Sequence, residues 1–208
     1  MSTIPTGLMH GSEPTWEIAK LFPAQGHWSV EEYLSLTDST NQFVEFTGGK
    51  LEVLPMPTVA HQRILVYLFM LLKEFADANN LGEVLPSVLR IRIAEDKFRE
   101  PDIVFMRREN RARSKNRYWE NADLVVEIVS DDHNSQERDH VTKRRDYAAA
   151  GIPEYWIVDP QQERISVLFL ENGDYKTVGE FSPGQQATSK LLPSFYVDVT
   201  ATFNAAKA

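Results

Sequence analysis

The chain has 208 residues, 42% hydrophobic and 25% charged, with a formal net charge of −8 and no cysteine. That length suits one domain with a core of its own, and the missing thiols exclude disulfides and thiolate metal sites. An acidic chain repels polyanions overall, so nucleic-acid binding would need a local basic surface.

Residues 1–28 are broken by Pro and Gly and read as an irregular arm, leaving 29–208 as one expected domain. The arm has neither the basic start nor the apolar run of a signal peptide. No apolar stretch is long enough to span a bilayer, so a soluble, cytoplasmic protein without membrane contact is expected. At SVEEYLSL, Ser29 and Glu32 form a capping-box pattern that starts a short helix. QFVEFT, Gly48-Gly49 and KLEVLP read as a hairpin on a two-residue glycine turn. In MPTVAHQRILVYLFMLLKEFADANNLG, Val59, Leu65, Leu68, Leu72 and Phe75 recur near the helical period, and Gly82 follows the end.

Three strands are expected next: EVLPSVLRIRI, PDIVFM and, after a polar loop at 107–118, DLVVEIVS. SQERDHVTKRRDYAAAGIP reads as a helix closed by Gly151 and Pro153. EYWIVDP is a strand ending in an Asp-Pro turn, and ERISVLFLENGDYKTVGEF a hairpin around residues 171–174. A helix between Ser130 and Glu154 permits a crossover to a parallel strand. The expected class is therefore α/β, or α+β, with a mixed sheet flanked by helices.

Glu127 lies inside the apolar run Leu124–Val129, where an unpaired carboxylate costs several kcal/mol or stays protonated. Asp102 opens the strand expected beside it, and two carboxylates brought together repel unless a cation separates them. An oxygen-ligated divalent ion such as Mg²⁺ would resolve that conflict; an arginine, Arg90 or Arg92, is the plainer partner. Glu45 is a third acid in an apolar strand, where the solvent face of a hairpin is the bland account. Asp139, Lys143 and Tyr147 follow at i, i+4 spacing and share a helix face. Lys143 is either half of a surface pair or a cation turned back toward Glu127.

FVEFTGGKLEVLPMPTVAHQRI, EPDIVF, ADLVVEIVS and RDHVTKRRDYAAAGIPEYWIVDP resemble the Uma2-like (DUF820) branch of the PD-(D/E)xK nuclease superfamily. The resemblance spans roughly positions 30–165, and the long block ending in GIPEYWIVDP makes it specific. It implies a restriction-endonuclease-like core, helix–three strands–helix–strand, with added N- and C-terminal hairpins. It also implies a Mg²⁺- or Mn²⁺-dependent endonuclease hydrolysing DNA, acting as a homodimer and needing no organic cofactor. Asp102 and Glu127 would be catalytic metal ligands, Glu45 an additional acid and third metal ligand from the preceding hairpin, and Lys143 the catalytic lysine. The superfamily's usual lysine position is occupied by Val129, so the lysine is relocated to the following helix. His61 and Gln62 also match the family and would support the site, as would Asp139 and Tyr147.

RRENRARSKNR carries Arg107, Arg108, Arg111, Arg113, Lys115 and Arg117 against Glu109 alone. It is the candidate DNA surface, extended by Arg90 and Arg92, with Lys143, Arg144 and Arg145 on the helix. The scattered histidines lack zinc-helix spacing, and no phosphate-cradling glycine loop or G-x-S-x-G nucleophile elbow is present. The rival from another class is a catalytically inactive nucleic-acid- or protein-binding module of the same fold. A different metal-dependent phosphohydrolase using the same acids is a third possibility.

Overall fold

The computed structural model describes residues 22–40, 42–130 and 138–207. Most of the expected N-terminal arm, and residues 131–137, lie outside the described residues. Helix α1, Val30–Asp38, starts at the expected box: Ser29 Oγ accepts from Glu32 N–H and the Glu32 carboxylate accepts from Ser29 N–H. Strands β1, Val44–Thr47, and β2, Lys50–Val53, pair antiparallel around Gly48 and Gly49. Both turn glycines have positive φ, 52° and 78°, as a two-residue hairpin of this kind demands.

Helix α2, Val59–Ala78, is capped by Thr58 and buries His61, Ile64, Leu65, Leu68, Leu72 and Ala76. Val59, expected on the buried face, is exposed, and Phe75 is only partly buried. Gly82 does not cap the helix; it opens β3, Gly82–Pro86, where a Cβ would stand 2.0 Å from the Met106 carbonyl. Close packing of two strands, not a helix end, requires glycine there.

EVLPSVLRIRI is two strands, not one. After β3 the chain leaves its sheet near Ser87 and enters β4, Ile91–Ala94, in a different one. A short strand that sequence patterning missed, β5 (Lys97–Arg99), pairs back on β4. Then come β6, Ile103–Arg107, a 3₁₀ turn at Arg108–Arg113, β7, Trp119–Glu120, and β8, Leu124–Ile128. A π-helical turn at Arg138–Thr142 runs into α3, Lys143–Ala149, which ends at Gly151 with φ 73°. β9, Glu154–Asp159, lies parallel to β8, as the crossover requires. β10, Arg164–Glu171, and β11, Asp174–Phe181, form the expected hairpin. The tail adds β12, Gln186–Thr188, β13, Tyr196–Asp198, and α4, Val199–Ala205. No described helix is long and apolar enough to cross a membrane.

The fold is mixed α+β, with two main sheets where patterning suggested one. The larger has the order β11-β10-β9-β8-β6-β3, the smaller β2-β1-β5-β4-β7. Taken in chain order, α2, then β3, β6 and β8, then α3 and β9 reproduce the helix–three strands–helix–strand core, with β4, β5 and β7 inserted. Alternation along β8 sorts its side chains by face. Leu124, Val126 and Ile128 join the core beneath α2, whereas Val125 and Val129 join Tyr147 and Tyr155 on the α3 side. Glu127 shares that second face, so its carboxylate meets α3.

Candidate active site

Glu127 is 3% exposed. Its carboxylate accepts from Tyr147 Oη at 2.6 Å and lies 2.9 Å from Lys143 Nζ. The cation beside Glu127 is therefore Lys143, not Arg90 or Arg92. Arg90 binds Thr37 and Asp38, and Arg92 binds the carbonyls of Ala94 and Glu95. Lys143 Nζ also lies 3.4 Å from Glu45 Oε1 and 3.4 Å from Asp139 Oδ1. One buried ammonium thus serves three buried carboxylates. The i, i+4 spacing of Asp139, Lys143 and Tyr147 puts all three toward the sheet.

Asp102 stands just before β6 and accepts from Ile128 N–H at 2.7 Å. That bond pins the start of β6 to the end of β8. His61, on the first turn of α2, places Nε2 3.3 Å from Asp102 Oδ2 and 3.1 Å from the Ile128 carbonyl. Asp102, Glu127, Asp139, Lys143, Arg138 and His61 all line one narrow cleft, with a volume of about 40 Å³. Gln62 and Tyr147 do not line it, and neither does Glu45.

Glu45 is one layer back. It accepts from Glu100 N–H at 3.2 Å and pairs with Arg99 at 3.5 Å as well as with Lys143. Two supporting residues escaped sequence reasoning. Arg99 links Glu45 to Asp146, 2.6 Å away, and Asp146 in turn holds Lys97 at 2.8 Å. Glu100 lines the cleft and accepts from Val44 N–H at 3.1 Å. Their signal was the run KFRE before Pro101, where Arg99 and Glu100 carry opposite charges at the end of a strand too short to show a period.

Charge within this cluster is unbalanced. Burial is the main force pushing the Glu127 carboxyl up, to about 8. Lys143 opposes burial there, while Asp139, Asp102 and Glu45 add to it. Asp139 is raised too, by burial first and then, against Lys143 and Arg138, by Asp102 and Glu45. Glu100 is pushed up to about 7 by burial and by Glu45. Burial also works against ionisation of Glu45, but Lys143 and Arg99 outweigh it and hold that carboxyl low. Burial disfavours the Lys143 ammonium, yet Glu127, Glu45 and Asp139 keep it charged well above its ordinary range. For His61 the hydrogen bond to Asp102 overcomes burial and raises the imidazole.

Among the described residues, Asp139, which lines the cleft, accepts no well-directed hydrogen bond at Oδ1, although Lys143 Nζ lies 3.4 Å from that oxygen. Hard carboxylate oxygens, an excess of negative charge and an unfilled acceptor are the donor chemistry a small divalent cation takes. Among the described residues no three His, Asp or Glu side chains are gathered as a complete ligand cage. Mg²⁺ does not require one, since it keeps several waters and is held by one or two carboxylates plus substrate phosphate. The residues fit such an ion.

The basic loop is elsewhere. Arg107 ends β6, and Asp102 precedes its start, so the loop lies about 17 Å along the strand from Asp102. Arg107, Arg108 and Arg111 line a separate cavity of about 340 Å³ with Lys73, Gly82 and Met106. Arg117 is held by Glu31 and Asp38, while Arg113 and Lys115 lie on the exposed loop surface. Arg144 donates to the Tyr175 carbonyl and Arg145 points outward.

A family model described as "Putative restriction endonuclease", named Uma2, matches residues 30–200. The chain belongs to the Uma2 family. A protein of Anabaena variabilis with a crystal structure, described as "a putative nuclease belonging to DUF820", is similar in fold. The TM-score is 0.68 at 18% identity, covering 88% of this chain and 99% of that one. No match was found among curated proteins. The Uma2 match takes in every residue of the cleft, from Phe43 to Lys143. Val129, where the wider superfamily carries lysine, is buried in the core that also holds Tyr147 and Tyr155, and its N–H continues the pairing with Val158.

Proposed function

We propose that this Uma2 protein is a metal-dependent endodeoxyribonuclease and that the cleft between β6, β8 and α3 is its active site. The observation that supports this best is Lys143, fixed 2.9 Å from Glu127 in a cleft that Asp102 also lines. When bound by Asp102 and Glu127, Mg²⁺ or Mn²⁺ supplies a water of lowered pKa and offsets charge developing on the scissile phosphate.

The chain's own residues set the rest. His61 and the Ile128 N–H hold the Asp102 carboxylate in one orientation. Tyr147 and Lys143 do the same for Glu127. The Lys143 ammonium stays charged and presents fixed positive charge beside the nucleophile without having to reorganise. Glu45, itself paired with Arg99 and outside the cleft lining, holds Lys143 in register. Ser87 and Ser130 line the cleft, but neither has a described hydrogen bond to a general base, so water activated at the cleft would attack directly and in line. A homodimer, one active site per strand, would cut both strands of a duplex.

The test is incubation of supercoiled plasmid DNA with Mg²⁺ or Mn²⁺. The wild type should nick and linearise it, chelator should stop the reaction, and Asp102→Asn should reduce it by about 10³-fold. Cleavage that survives Asp102→Asn would remove the site assignment. Failure of the wild type with either metal would favour a binding module of the same fold.

A further inference from the structure

The cleft has two unlike walls. One carries Asp102, Glu127, Asp139 and Lys143; the other is apolar, formed by Phe43, Leu54, Pro55 and Pro57. Phe43 precedes β1 and Leu54 follows β2, and the Leu54 N–H donates to the Phe43 carbonyl at 2.8 Å, closing the hairpin over the cleft. The Phe43 ring is half-buried, yet among the described residues it joins none of the three cores and none of the paired rings. Among the described residues no ring is stacked on it. Val53 at the end of β2 and Met56 in the loop after it, 63% and 69% exposed, extend the apolar surface outward. From the β3–β4 loop, Val88 adds a further exposed side chain next to Ser87, which lines the cleft.

An apolar wall offers nothing to a phosphate. What flanks a scissile phosphate and can be stabilised by such a wall is a sugar and, above all, a base face. The cleft's volume of about 40 Å³ admits an ion or a few waters but no nucleotide, so a base must rest at the mouth. In a matched duplex that face is already stacked, and exposing it costs a few kcal/mol; in an unpaired stretch it is free. The basic loop that could grip duplex phosphates is at the other end of β6. Near the mouth, Arg138 is engaged by Glu52 and Asp139, and Lys143 by its three carboxylates. Duplex backbone therefore gains little there, and an unstacked base gains most.

We propose that Phe43, with Met56 beside it at the lip, receives the base next to the scissile phosphate, so that the substrate is nucleic acid whose strand is unpaired at the cut. This rests on the nuclease reading for what happens after binding, but binding can be measured without it. Anisotropy of a labelled DNA strand, with Ca²⁺ as the metal and at one fixed salt, compares three forms: the free strand, the matched duplex, and a duplex with a short unpaired bulge. The free and bulged forms should bind about tenfold more tightly than the matched duplex. Phe43→Ala should bring that ratio to within about twofold, Phe43→Trp should keep it, and Met56→Ser, at an exposed position outside the cores, should lower it several-fold. Equal affinity for all three forms overturns the proposal, as does a preference that survives both Phe43→Ala and Met56→Ser. Cleavage with Mn²⁺ is followed in parallel. A preference without cleavage supports the base-binding wall and overturns hydrolysis; cleavage without preference does the reverse.

Discussion

Replacing Lys143 with methionine is expected to lower stability by about 3–5 kcal/mol above about pH 8, where Glu127 ionises, and with it the melting temperature by about 10 °C. Methionine fits the volume, so packing is nearly conserved and the loss is electrostatic. The ammonium lies within 3.4 Å of Glu45, Glu127 and Asp139, all buried. Removing it leaves Glu45 to Arg99, Asp139 to Arg138, and Glu127 to the Tyr147 hydroxyl alone. An uncompensated buried carboxylate is what makes half-broken interior ion pairs so costly. The deficit should shrink as pH falls, because Glu127 and Asp139, both raised, protonate readily. Thermal melts across that range check this. A deficit that stays below about 1 kcal/mol even above about pH 8 would mean the cluster tolerates its charge without the lysine.

Glu127→Gln should behave in the opposite way. Burial and three neighbouring acids work against the ionised Glu127, so the neutral isostere relieves repulsion while Lys143 keeps Glu45 and Asp139. Stability should stay within about 1 kcal/mol of wild type. Plasmid cleavage should nevertheless fall about 10³-fold, because a neutral amide is a far poorer ligand for a hard divalent ion. Together the two variants separate folding from chemistry at adjacent atoms. A Glu127→Gln protein that cleaves at wild-type rate would show that Glu127 is a structural acid only.

Much of this was legible in the sequence where the cause is local. The Ser29–Glu32 box, the Gly48-Gly49 turn and the period of α2 each depend on residues a few positions apart. The parallel pairing of β8 with β9 followed from the helix-length segment between them. The break in EVLPSVLRIRI was not legible, since both halves alternate well and only the choice of sheet separates them. The tail strands β12 and β13 were missed for a related reason: they are three residues each, and they are secured by the buried Glu154. That carboxylate accepts from Trp156 Nε1, Ser189 Oγ and the N–H groups of Lys190 and Leu191.

At the site, the acids were visible because carboxylates in apolar runs are costly, and Lys143 because its spacing aimed it at the strand before it. What spacing could not give was depth. Glu45 and Glu127 are both buried acids in apolar strands, yet only Glu127 lines the cleft. Nor could composition place the basic loop, whose charges lie at the far end of β6 from Asp102.

The most direct measurement is a calorimetric titration of Mn²⁺ into the wild type, Asp102→Asn and Glu127→Gln, repeated over a range of pH. Glu127 must lose its proton before it can ligate, and its carboxyl is raised to about 8. Protons therefore compete with the metal below that value, so raising the pH favours binding. Wild-type affinity should rise about tenfold per pH unit up to 8 and then level off, with close to one proton released per ion on the acid side. Both variants should bind at least about tenfold more weakly. Equal Mn²⁺ affinity in all three proteins, unchanged with pH, would contradict a metal held by Asp102 and Glu127.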